Sequence, residues 1–398
     1  MNILWGIFGI LVVLLIAFLF SNQKKAIKLR TVIGGLAIQI AFAFIVLKWE
    51  AGRTALEWFT LRVQDIINYA NEGISFLFGS LADSDQFGSI FAFHVLPIIV
   101  FFSALISVLY YLGIMQWFIR IIGGALSKLL GTSKTESMSA AANIFVGQTE
   151  APLVVRPFLD KMTNSELFAV MTGGLASVSG AVLVGYSLLG VPLDYLLAAC
   201  FMAAPGGLVM AKIMLPETEK SETSDEITLE KDKDTANVID AAAKGASDGL
   251  SLALNVGAML LAFIALIALI NGIIGIFGGI TLEQILGYVF APLAFAVGVP
   301  WEEAITAGSF IGQKLVLNEF VAYASFAPEI AALSEKTVLI ISFALCGFAN
   351  LSSMGILLGG LGGMAPNRRA DIAKLGLKAI AAGMLVSLLS ASIAGMFF

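Results

Sequence analysis

Charge is scarce in this sequence. Asp, Glu, Lys and Arg make up 13% of its 398 residues, where a soluble domain carries about 25%. That deficit excludes an ordinary water-soluble fold. Hydrophobic residues, at 59%, run in long uninterrupted stretches. Such runs also argue against a β-barrel, whose strands alternate in segments of about 10 residues. The fold class expected is therefore an all-α polytopic membrane protein. Cysteine is nearly missing: Cys200 and Cys346 both lie in apolar runs and read as small hydrophobic side chains, with no disulfide framework. The single histidine, His94, lies in an apolar run and reads as packing or lining rather than as a proton relay. One histidine and two distant cysteines supply neither a nucleophile–base pair nor a metal cluster, so an enzyme is not expected. The net charge of −5 comes largely from one acidic segment, and no nucleic-acid partner is expected.

What is present is a series of apolar runs separated by basic clusters. Residues 1–23 form a first span and 31–47 a second, with Lys24, Lys25, Lys28 and Arg30 between them. The positive-inside rule puts that cluster in the cytoplasm and both chain termini outside. Residues 50–79 mix charges with Trp58, Phe59, Leu61, Ile66 and Ile67, the pattern of an amphipathic helix on the outer surface. From Gln86 to Ile119 no residue is charged. A single helix of that length would run about 51 Å, beyond the roughly 30 Å hydrocarbon core, so it must tilt, bend near Pro97 or project. Segment 216–248 is a solvated acidic loop with room for a short helix at 236–246. Of the 23 Lys and Arg, all but Lys48, Arg53, Arg62, Lys314 and Lys336 fall in segments assigned to the cytoplasm. Eight spans satisfy the rule.

Inside this apolar chain sits a polar knot, Asn143-Ile144-Phe145-Val146-Gly147-Gln148-Thr149-Glu150-Ala151-Pro152. The uncharged run around it is too short to cross, so it reads as the tip of a re-entrant hairpin. The pattern recurs downstream. A long uncharged stretch from Gly249 to Leu282 matches the one from Gln86, a second hairpin carries Gly312-Gln313 and Glu319, and a second interrupted span carries Asn350, Ser352 and Ser353 where the first carries Ser177 and Ser179. The chain thus divides into N-terminal helices (1–85), a first repeat (86–215), the acidic loop (216–248) and a second repeat of opposite orientation (249–398). Inverted repeats with paired broken helices point to a secondary transporter with its site at the repeat interface. Gln148, Thr149, Glu150, Glu319, Asn350 and the serines of both breaks suit a neutral, hydrogen-bond-rich solute. Glu150 and Glu319 read as buried and functional.

Three motifs, Gly147-Gln148-Thr149-Glu150-Ala151-Pro152, Asn318-Glu319-Phe320 and Gly347-Phe348-Ala349-Asn350-Leu351-Ser352-Ser353, resemble those of the concentrative nucleoside transporter family in its short bacterial form. The resemblance covers nearly the whole chain. It implies a homotrimer in the cytoplasmic (inner) membrane whose transport domain moves as an elevator. It implies that Gln148, Thr149, Glu150 and Val182 contact the nucleobase, that Glu319, Asn350 and Ser353 hold the ribose hydroxyls of a nucleoside such as uridine, and that Phe348 packs near the sugar. It also implies a Na⁺ site built from the side chains of Asn143 and Ser177 and the carbonyls of Val146, Ser177 and Val178. Proton coupling on the same fold is the alternative.

Overall fold

The computed structural model describes residues 2–82, 90–223 and 235–398. The start of the uncharged run at Gln86 and the centre of the acidic loop lie outside them. Among the described residues the secondary structure is helical throughout. Helices α1 (Asn2–Leu19) and α2 (Leu29–Leu47) are the first two spans. Helix α3 (Glu50–Phe78) is the expected amphipathic element: it buries Ile67, Ala70 and Ile74 and exposes Trp58, Tyr69 and Phe76.

The uncharged stretch toward Ile119 is not one helix. A turn at Phe91–His94 leads into α4 (Leu96–Tyr111), which stops at Leu112, and α5 (Ile114–Leu130) is a separate helix. Pro97 cannot donate a backbone hydrogen bond, which accounts for the interruption at Val95. Gly113 adopts φ +80°, a left-handed conformation that glycine takes without strain. Helix α5 buries Met115, Ile119, Gly123 and Leu126 and exposes Trp117, Ile121 and Leu129. Arg120 and Lys128 therefore sit on an amphipathic helix of their own rather than at the end of a span.

The remaining helices of the first unit are α6 (Lys134–Ala142), a 3₁₀ limb (Ala151–Lys161), α7 (Asn164–Ala176), α8 (Gly180–Leu188) and α9 (Leu193–Met214). Pro152 and Pro157 keep the limb out of α-helical hydrogen bonding. The second unit repeats the order with α10 (Val238–Gly278), α11 (Leu282–Ala296), α12 (Trp301–Val316), α13 (Glu319–Phe326), α14 (Glu335–Leu345), α15 (Ser353–Met364) and α16 (Arg369–Met396). The short helix expected at 236–246 is the first part of α10, which continues for 41 residues without a break. Seven segments of the described residues are long and apolar enough to cross a membrane, and α11 and α12 meet at a 116° bend. Counted as one span, the bent α11–α12 pair would bring the total to eight; α14 and α15, 11 and 12 residues long, stand in the chain order of α7–α8.

Several helix starts are written in the sequence. Ser133 with Glu136 and Thr163 with Glu166 form capping boxes at α6 and α7, each satisfying two otherwise orphaned N–H groups. Burial separates the helices into two classes. The segments of α7–α8, α9 and α16 are 94%, 89% and 94% buried, against 11% for α10 and 22% for α4 with its preceding turn. The first broken helix, α7–α8, thus lies in an inner block with α9 and α16, and α14 is buried along most of its length. Helices α4 and α10 pack on each other outside it, and α1 and α2 flank α16 and α9.

Candidate functional site

Each hairpin ends beside the break of its own repeat, and backbone hydrogen bonds hold the junction. The Gly180 N–H donates to Phe145 O at 3.0 Å, and the Leu351 N–H donates to Leu315 O at 3.1 Å. The two breaks also touch each other: the Phe348 N–H donates to Ser177 O at 3.2 Å. Chain ends that would be orphaned in an ordinary helix are therefore satisfied by neighbouring unwound segments.

Glu319 opens α13, with Asn318 as its cap through the Val321 N–H at 2.8 Å. The Glu319 carboxylate is buried. Its Oε1 accepts from the Tyr186 hydroxyl at 3.2 Å and its Oε2 from Asn350 Nδ2 at 2.8 Å. Asn350 Oδ1 in turn accepts from the Ser353 N–H at 2.9 Å and the Ser352 hydroxyl at 2.6 Å. A backbone N–H can only donate, so it fixes which way the amide points and commits its NH₂ to Glu319. The Ser353 hydroxyl donates to Phe348 O at 2.5 Å. A ligand contact by Ser353 would therefore use its lone pairs. The carboxylate has about four acceptor sites, so two remain for hydroxyl donors.

At the other hairpin tip, Glu150 Oε2 accepts from the Gly147 N–H at 2.7 Å. Glu150 is exposed, not buried as the sequence suggested. The carboxylate belongs to a turn at the tip and bonds back to that turn. Gln148 is buried against Gly174 of α7, and its Oε1 has no hydrogen-bond partner. Thr149 is half-buried with its methyl against Gly360 of α15. Val182 is buried on α8, one turn before Tyr186. Phe348 is half-buried, and its ring edge and Ser179 both approach Gly147. Among the described residues no hydrogen bond joins the Gln148–Glu150 tip directly to Glu319. The two halves of the site meet through Phe348 and the breaks.

Asn143 ends α6 and is buried. Its Nδ2 donates to Ser139 O at 2.9 Å, its main-chain oxygen accepts from the Ser177 hydroxyl at 2.6 Å, and its Oδ1 has no partner. Val146, Ser177 and Val178 are buried around the same junction. An orphaned buried oxygen between two helix C-termini, where carbonyls carry partial negative charge, fits a hard cation with oxygen ligands. Among the described residues no group of three His, Cys, Asp or Glu gathers to hold a metal ion. Cys200 and Cys346, distant in sequence, pack with sulfurs 3.8 Å apart as buried thiols.

Sequence reasoning missed Tyr186. Its signal was a tyrosine in an apolar span, a side chain whose buried hydroxyl needs a partner.

Three family models match the chain: the N-terminus (residues 8–81) and C-terminus (residues 195–395) of a Na⁺-dependent nucleoside transporter, and a nucleoside-recognition gate domain (residues 92–192). An uncharacterized transporter of Bacillus subtilis, YutK, is 63% identical, with all of both chains covered. The nucleoside permease NupC of Helicobacter pylori is 50% identical over 99% of this chain and 97% of its own. The chain belongs to the concentrative nucleoside transporter family. Further members agree with that placement. Human solute carrier family 28 member 3 is 39% identical over 97% of this chain and 59% of its own. The solved structure of CNTnw in an inward-facing, substrate-bound state is 56% identical, with a TM-score of 0.97 over 100% of this chain and 99% of that one. A CNTnw variant in an outward-facing state gives 0.95 at 55% identity, over 100% and 98%. This concentrative nucleoside transporter is thus a multi-pass membrane protein and not an enzyme.

Proposed function

We propose that this protein is a Na⁺-coupled symporter that imports nucleosides such as uridine across the cytoplasmic membrane. The observation that carries the reading is the closed hydrogen-bond chain from Tyr186 through Glu319 and Asn350 to Ser352 and Ser353. It presents a buried carboxylate and a fixed amide to a vicinal diol, an arrangement suited to ribose. Glu319, Asn350 and Ser353 take the ribose hydroxyls and Phe348 packs beside the sugar. Gln148, Thr149, Glu150 and Val182 line the nucleobase. The unpaired Gln148 Oε1 is an acceptor suited to a base amine or imide.

The coupling ion is held by the side chains of Asn143 and Ser177 and by the carbonyls of Val146, Ser177 and Val178. The orphaned Asn143 Oδ1 supports that set. The Ser177 carbonyl already accepts the Phe348 N–H, so ordering this junction also orders the break that carries Asn350. That shared residue is a route by which ion binding lowers the entropic cost of nucleoside binding.

The sparsely buried α4 and α10 support a homotrimer with these helices in an outer scaffold. The inner block then moves across the bilayer as an elevator. Both hairpins are re-entrant and both termini face outward, as the distribution of Lys and Arg supports. Uridine uptake into proteoliposomes, with and without an inward Na⁺ gradient, tests the reading. Gradient-dependent uptake is expected. Equal uptake in both, with stimulation by an inward proton gradient, would replace Na⁺ by H⁺.

A further inference from the structure

Lys314 lies in the last turn of α12 and is 0% exposed. Among the described residues no carboxylate reaches it within ion-pair distance. Its ammonium instead donates to Ala344 O at 2.8 Å and to the Ser387 hydroxyl at 3.0 Å. Ser387 passes a hydrogen bond on to Cys346 O at 3.1 Å. Ala344 is in the last turn of α14 and Cys346 caps it. The ammonium therefore sits at the carbonyl end of a helix that stops in the middle of the protein, where the helix dipole places negative potential. A buried charge is costly unless it is used, so its retention calls for a role.

The same junction exists in the first repeat with the opposite chemistry. There the end of α6 meets the end of α7, Ser177 donates to Asn143 O, and Asn143 Oδ1 is left without a donor. One junction offers acceptors alone. The other has its acceptors met by an ammonium carried on the chain. We propose that Lys314 is the built-in cation of the second repeat, a positioning residue that pins the end of α14 and so holds Gly347–Asn350 where Asn350 engages Glu319. It does for the second break what an exchangeable cation does for the first. The link to substrate rests on the assignment of Glu319 and Asn350 to ribose given above.

Two readouts test it, in wild type, Lys314→Met and the milder Ser387→Ala, all purified with Na⁺ present. The first is amide hydrogen exchange. Loss of a hydrogen bond to a charged group should speed exchange at Phe348 and Leu351 by about tenfold in Lys314→Met and less in Ser387→Ala, while 173–176 in α7 stays protected. The second is the ratio of uridine to deoxyuridine affinity by calorimetry, expected to fall toward one in both variants. A general loss of stability would weaken both ligands alike and leave the ratio unchanged. Unchanged exchange at Phe348 and Leu351 in both variants, or in Ser387→Ala alone should Lys314→Met not fold, overturns the positioning role whatever the substrate is. Faster exchange with no uridine binding by wild type would keep the pinning role and remove only its link to ribose.

Discussion

Glu319 already accepts from Tyr186 and Asn350, both of which point hydrogens at it. Replacing it with glutamine would set an NH₂ donor against one of those donors. Each lost hydrogen bond to a charged group is worth about 1.5–3 kcal/mol. Glu319→Gln should therefore lower uridine uptake by about 10- to 100-fold, with expression and assembly unchanged. Uptake at the wild-type rate would remove the ribose assignment. A nucleoside lacking one ribose hydroxyl leaves a buried acceptor unpaired and should bind more weakly by about 1–3 kcal/mol. Asn143→Ala acts elsewhere. It should shift the Na⁺ concentration needed for half-maximal uptake far more than the uridine affinity at saturating Na⁺, and a sodium response identical to wild type would count against the ion site. At this scale the polar residues were legible because they are out of place in apolar sequence. Tyr186 was not, because a tyrosine in a span is ordinary until its partner is known. The exposure of Glu150 was not legible either, because it depends on the fold of the tip.

Hairpin and break act as elements through a few close approaches. Gly123 and Gly124 are neighbours on α5 with different surroundings. A Cβ on Gly123 would stand 2.9 Å from Met138 Cα in α6, while Gly124 faces open space. Met138 is backbone at the point of contact and cannot rotate away. Gly123→Ala should thus cost about 1–3 kcal/mol by pushing the first hairpin off α5. Gly124→Ala should be neutral or stabilise by up to about 1 kcal/mol. Thermal melting of the two purified variants decides between them, and equal melting points would mean that α5 does not seat the hairpin. The base of this hairpin has its own tie. Lys212 Nζ lies 2.6 Å from Glu136 Oε2 and donates to the Ser165 hydroxyl at 2.8 Å. The ends of α6, α7 and α9 thereby share one buried ionic contact. Glu136 is legible as the third residue of a capping box, but its meeting with Lys212 and Ser165 is a tertiary fact.

For the whole molecule, what matters is which apolar surface is left over. Along α10, Leu254, Leu261 and Ile276 are 62%, 77% and 79% exposed. Apolar surface on that scale is covered by lipid or by another copy. The trimer proposed above predicts a native mass of three copies of the 42.0 kDa chain. A monomeric mass in mild detergent would leave lipid as the only cover. The topology proposed above predicts that a tag after Phe398 is labelled by an impermeant reagent from outside intact cells, and Lys25→Cys only after permeabilisation. The reverse pattern would invert every assignment of side.

The sequence by itself determined the class, the order of elements and most of the polar residues that the fold gathers. Hydrophobic runs can only be satisfied in a bilayer or a core, helix starts are written locally in Ser133, Thr163 and Asn318, and polar groups in apolar runs must be used. Tertiary structure decided the rest. Whether the described part of the uncharged run, from Ile90 to Ile119, is one helix or several depended on a backbone conformation at Gly113 that composition does not reveal. Which donors meet Glu319, how close Cys200 comes to Cys346, and what answers the buried charge of Lys314 are long-range pairings. They are set by how the helices pack, and no local pattern in the chain encodes them.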